Sequence, residues 1–243
     1  GNDPEATQIQ FILQSLAKLR KRYQPENTNT DIASEVLQTD QFIDWIHQEQ
    51  KEALEDEKYT YYSRLGLYAH QYYDKKKEQN RSIESLFQVW ENAPIEAFDA
   101  ATLGHIGLML LRELNSIEQA KVYFERLLEE YPGSPARAFS FYGLGKLAFM
   151  EWERQSEKDN QVRADQALKE SRKFLSRFRQ ETPMHQLMPD VAILYGRVLV
   201  ESEDYEKAKE VYEKLLSIKK VRGRPQPWPT RKGCILFTGL IRT

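Results

Sequence analysis

The sequence predicts an all-α fold, an α–α superhelix in which antiparallel helix pairs stack as a solenoid behind an N-terminal helical cap. Three observations lead there. Four stretches align with one another with their small residues, aromatics and prolines in register. Apolar residues recur at helical spacing between the breaks. The composition, 40% hydrophobic and 30% charged, suits strongly amphipathic helices.

Residues 1–58 are expected to form the cap. Ile9, Ile12, Leu13, Leu16, Leu19 and Tyr23 share one helical face, and Pro25 with Asn27-Thr28-Asn29-Thr30 breaks the run. Asp31 offers an N-cap for a helix through Ile32, Val36 and Leu37, and Phe42, Trp45, Ile46 and Leu54 form a further stripe. The segment lacks the small-residue signature of residues 59–217. It either covers the exposed face of the first repeat, as solenoid ends require, or is a divergent repeat itself.

Residues 59–217 supply four helical hairpins. In each, small residues are expected where the two helices touch, because close packing leaves no room for a side chain. The first copy has Tyr62, Leu65, Gly66 and Ala69, then Ser82, Leu86, Val89 and Pro94. The second has Gly104, Gly107 and Leu111, then Ala120, Phe124, Leu127 and Pro132. Phe141, Leu144, Gly145 and Ala148 open the third, and Ser171, Leu175, Phe178 and Pro183 close it. The fourth runs Leu194-Tyr195-Gly196, Asp204-Tyr205, Ala208, Tyr212 and Leu215-Leu216, without the proline. With Gly66, Leu108, Gly145 and Gly196 taken as equivalent, the copies are spaced by 42, 37 and 51 residues. The extra length falls in residues 74–81 and in the polar stretch 151–170, where it lengthens both arms of a hairpin or forms a loop.

Residues 218–243 read as a linker and the first helix of an incomplete further repeat. Pro225, Pro227, Trp228 and Pro229 precede the apolar run 233–241, in which Gly239 takes the small-residue position. The expectation is a fragment of a longer protein, or a repeat completed by another chain. This segment holds seven Lys and Arg and no acid, against 28 basic and 37 acidic groups elsewhere. Basic and aromatic residues do not interleave along a face there, so nucleic acid is not the expected partner. The single cysteine, Cys234, excludes an internal disulfide framework, and no apolar run reaches a membrane-spanning length. The start, Gly1-Asn2-Asp3-Pro4, reads as processed or engineered, leaving room for a signal peptide or lipid-bearing cysteine already removed.

No catalytic constellation is legible, and neither a cofactor nor a metal is expected. His47, His70, His105 and His185 never fall at metal-ligand spacing and read as ordinary surface or groove residues. Gly104-x-x-Gly107 lies within a helical stripe, where helix packing explains it. Carboxylate pairs such as Glu129-Glu130 suit an exposed helix rather than general acid chemistry.

The register of the four copies resembles the tetratricopeptide repeat, a helical hairpin of roughly 34 residues. The phrase Phe124-x-x-Leu127-Leu128-x-x-Tyr131-Pro132-Gly133-Ser134-Pro135 before Ala138 is similar to bacterial envelope repeat proteins. So is Phe174-Leu175-x-x-Phe178 through Pro183 to Pro189-Asp190-x-Ala192. Those proteins include the outer-membrane lipoprotein of the beta-barrel assembly machinery and the periplasmic repeat protein of the Tol-Pal system. The resemblance implies a non-enzymatic scaffold that binds other proteins or peptides through a concave surface. It also implies a periplasmic or outer-membrane setting with peripheral or lipid-anchored membrane association. The alternative is a recognition module of a larger protein whose catalytic or regulatory part lies beyond residue 243.

In such repeats the fifth, ninth and twelfth positions of each first helix face the groove. Here they are Ser63, Leu67 and His70; His105, Met109 and Arg112; Tyr142, Lys146 and Phe149; and Ile193, Arg197 and Val200. This lining of apolar side chains and cations lacks the Lys/Asn set that clamps a terminal carboxylate in co-chaperone repeats. It suits an extended or helical segment with apolar anchors and some acid.

Overall fold

The computed structural model describes residues 40–222, which are helical with no strand among them. The fold is all-α and made of antiparallel helix pairs, as the sequence predicts. The apolar stripe at 9–23, the cap at Asp31, the apolar run 233–241 and Cys234 lie outside the described residues.

The helices are α1 (Asp40–Glu55), α2 (Tyr59–Lys75), α3 (Gln79–Asn92), α4 (Ala100–Arg112), α5 (Ile117–Glu130), α6 (Arg137–Glu157), α7 (Gln161–Glu181), α8 (Met188–Glu201) and α9 (Tyr205–Arg222). Two kinds of link join them. Between α1 and α2 and inside each hairpin the turn is short. One residue in each, Glu57, Lys77, Asn115, Asp159 or Glu203, takes a left-handed conformation with φ between 50 and 62°. The next amide then folds back onto the helix end. Glu78 N donates to Tyr73 O at 2.9 Å, and Asp204 N to Leu199 O at 2.9 Å, closing a Schellman-type cap that satisfies orphan carbonyls. Between hairpins the links are longer and carry the prolines. The first passes Pro94 and a 3-10 turn (Ile95–Ala97) to Asp99, whose side chain caps α4 by accepting from Thr102 N at 2.9 Å.

The chain divides into two compact units, residues up to His185 and residues from Gln186. In the first, α2 pairs with α3, α4 with α5, and α6 with α7, while α4 lies against both α2 and α6. First helices therefore stand side by side. α1 packs on α2, and the Gln50 side chain reaches 2.9 Å from where a Cβ on Gly66 would stand. In the second unit α8 pairs with α9.

Small residues make these pairs possible, and the space around each glycine shows how little is spare. A Cβ on Gly66 would stand 2.1 Å from Val89, on Gly145 2.8 Å from Leu175, and on Gly196 2.3 Å from Tyr212. No Cβ is tolerated at such separations without a shift of its neighbour. In α4 a contact of this kind is made by Gly107, 2.6 Å from Phe124. The same ring lies 2.2 Å from the Cβ position of Gly143 on α6, so Phe124 is held between two hairpins and is fully buried.

Gly143→Ala should lower stability by about 1–3 kcal/mol, seen as a lower urea midpoint, because Phe124 has no direction in which to retreat. Lys77→Gly should raise stability by up to about 1 kcal/mol, since it relieves a left-handed residue while giving back some backbone entropy.

Candidate partner-binding face

In the first unit the candidate face is built on α2, α4 and α6. Its edge is pinned by charge: Asp99, already capping α4, accepts from Arg64 Nε of α2 at 3.2 Å. Ser63 is fully buried, donates to the Thr60 carbonyl at 2.9 Å and faces the Ala97 carbonyl at 3.5 Å. Its hydroxyl ties α2 locally and to the 3-10 turn rather than facing a ligand.

The twelve residues expected to line the groove divide by depth. Ser63, Leu67, Met109, Tyr142 and Phe149 are buried. His70, His105, Lys146, Ile193 and Val200 are half-buried, and Arg112 and Arg197 are exposed. Arg112 of α4 lies 5.1 Å over the Tyr142 ring of α6, bringing together a cation and an aromatic from neighbouring first helices. Phe149 packs on Trp152 of its own helix, ring centroids 4.9 Å apart, and is 2% exposed. Ile193, Arg197 and Val200 stand on α8 in the second unit, where the Tyr212 hydroxyl of α9 donates to the Ile193 carbonyl at 3.5 Å.

Three of the four histidines, expected as ordinary surface or groove residues, lie in one row. His70 and His105 meet edge to face with centroids 4.9 Å apart, His105 lies 4.8 Å from Phe139, and Phe139 lies 5.2 Å from His185. His185 also meets Phe178 of α7 at 5.5 Å. Gly104 makes this row possible, since a Cβ there would stand 2.4 Å from the Phe139 ring. Within the row, His70 Nδ1 is 3.1 Å from the Ser82 carbonyl of α3 and 2.8 Å from its hydroxyl, which in turn donates to the His70 carbonyl. Burial lowers the pKa of all three imidazoles; for His105, with His70 and then His185 adding to the effect, it falls to about 4. His47 stands apart: its Nε2 is hydrogen-bonded to the Tyr73 hydroxyl at 2.8 Å, and that hydroxyl accepts from Arg81 at 2.7 Å.

Sequence reasoning does not bring Phe139 or His185 into this cluster. Phe139 occupies the second position of its repeat, another groove-facing place, so the register holds a signal for it. His185 precedes α8 in a link with no repeat position at all.

Among the described residues no group of three or more histidine, cysteine, aspartate or glutamate side chains is arranged to hold a metal ion, and no helix is long and apolar enough to cross a membrane. Helices paired through glycine notches, with first helices ranked beside one another, define a helical-repeat protein. Residues 105–134 and residues 189–221 each match the tetratricopeptide repeat. These segments cover α4–α5 and α8–α9, and the chain carries tetratricopeptide repeats, the architecture of a protein-protein interaction scaffold. No curated protein matches the chain. Among solved structures it is similar to BtubC (BKLC) from P. vanneervenii, at 18% identity over 84% of each chain with a TM-score of 0.45. It is also similar to MamA 41-end from Desulfovibrio magneticus RS-1, at 15% identity over 77% of this chain and 99% of that one, TM-score 0.42.

Phe149→Ala should cost about 3–5 kcal/mol of stability in urea unfolding, as a cavity in a packed core does, whatever its effect on a partner.

Proposed function

We propose that the chain is a non-enzymatic scaffold of a bacterial envelope complex. It holds a partner polypeptide against the exposed parts of its first helices. One observation carries the reading: Arg112 and Lys146, both solvent-accessible, rise beside the buried Tyr142 on adjoining first helices. A cation over an aromatic, at the edge of an apolar floor, suits a segment that brings an acidic residue and apolar anchors. In the other unit, taken by itself, Arg197 is an exposed cation on α8. The envelope setting is supported by the inter-repeat phrase from Phe124 through Tyr131-Pro132 to Ala138, which is similar to that of envelope repeat proteins.

Charge reversal separates binding from folding, because Arg112 and Arg197 are exposed. Arg112→Glu and Arg197→Glu should each weaken partner capture about tenfold or more while circular dichroism stays unchanged. Affinity capture with mass spectrometry, wild type beside each variant, identifies the partner and reads the loss. Equal capture by all three proteins removes these first-helix cations from the binding surface. Cell fractionation tests the compartment separately, and a cytosolic location ends the envelope reading while leaving the scaffold intact.

A further inference from the structure

We infer that the row His70, His105, Phe139 and His185 is an acid-sensitive latch between the hairpins of the first unit, closed while its imidazoles are neutral and loosened as they take up protons. The latch is independent of the partner the scaffold binds. Its parts come from separate elements. The three imidazoles belong to α2, to α4 and to the link after α7, while Phe139 of α6 sits between the last two. The row therefore bridges all three hairpins of the unit.

Neutral rings suit these contacts. An edge-to-face pair sets the positive edge of one ring against the negative face of the other, and Phe139 can receive an edge from either side. A single proton on His105 would find the Phe139 face, which is mildly favourable to a cation. A second proton on His70 would put two cations on rings whose centroids are 4.9 Å apart, which burial makes costly. Loosening is accordingly expected to sharpen with the second proton.

The surrounding charges do little to relieve this. On α3, the Ser82 carbonyl 3.1 Å from His70 Nδ1 favours protonation of His70, and on α2 Asp74 does so to a smaller extent, but burial outweighs both. On α4, Asp99 favours a charged His105, yet its carboxylate is already shared between Thr102 N and Arg64. On α6 and α7 the row meets the rings of Phe139 and Phe178. Burial lowers the pKa of His185 as well.

Linkage sets the direction. An ordinary histidine titrates near 6.5, and folded His105 near 4, so opening takes up a proton between those values. Above about pH 6.5 the latch has its full strength. Below that, each proton taken up on opening raises the open population about tenfold per pH unit, down to about pH 4, where the folded ring also charges.

Amide hydrogen exchange of the wild-type chain at pH 7.5 and pH 5.0, corrected for intrinsic rates, reads the opening directly. Protection in α2, α4 and α6 should fall about tenfold or more at the lower pH, and by less in α8 and α9. His70→Gln with His105→Gln should shrink that difference several-fold, His185 accounting for what remains. Equal protection at both pH values overturns the inference, as does a pH response undiminished in the double variant. NMR titration of the wild-type imidazoles keeps the test sharp should the variant fold poorly. His105 still neutral at pH 5.5 supports the latch, and His105 titrating near 6.5 overturns it.

Discussion

The ring of Phe124 is the constraint on which the stacking of the second and third hairpins depends. It projects from α5 into Gly107 of its own hairpin partner and into Gly143 of the next hairpin, with 2.6 and 2.2 Å to the Cβ positions that glycine leaves empty. Helix axes brought this close let one aromatic make contact on both faces, and such contacts are individually small and collectively large. The other notches are simpler. Leu175 fills Gly145 and Tyr212 fills Gly196 within their own hairpins, and Val89 fills Gly66 with Gln50 of α1 approaching from the other side. Gly107 and Gly143 are thus the pair through which one second helix fixes two first helices.

Close packing has a consequence for function. When α4 and α6 approach, Gly104 admits Phe139, and the floor of the expected groove becomes core: Met109, Tyr142 and Phe149 are each less than a tenth exposed. Large apolar side chains in this position stabilise the wall and are not available to a partner without reorganisation. The side chains above them that remain accessible are Arg112 and Lys146 in the first unit, which is why recognition is proposed to rest on them. Steering by charge over an apolar base favours rapid association and selection among partners more than tight binding.

The repeats are legible because steric demand writes itself into sequence: a glycine or alanine is needed where helices touch, and Gly145, Gly196, Ala120 and Ala208 mark those places. In the second copy Gly104 and Gly107 meet different neighbours, Phe139 of α6 and Phe124 of α5, and the sequence does not say which small residue serves which contact. Helix ends inside the hairpins are less visible, since Lys77 and Glu203 have no preference for the left-handed conformation they adopt, and the cap geometry imposes it on them. The histidine row is hidden by separation along the chain. Placing His105 at a fifth position and His70 at a twelfth gives the face each occupies, but not the distance between rings on different helices.

The third hairpin shows how an insertion becomes structure. Of the two outcomes open for the polar stretch 151–170, the chain takes the one that lengthens both arms, with α6 and α7 each reaching 21 residues. Loop closure alone would have tolerated an irregular excursion at small cost. Helix wins because the extension makes its own interior. Phe149 stacks on Trp152, Gln155 is buried and donates to Glu151 at 2.7 Å, and α7 buries Ala164, Ala167 and Leu168. The Gln155 bond, followed by that from Arg154, holds the Glu151 carboxyl below its usual range, so the charged form supports the turn it sits on. Phe149 therefore belongs to the core that carries the hairpin past its neighbours. Its groove-facing repeat position and its burial are reconciled by that extension, which covers the side of the ring a shorter hairpin would expose.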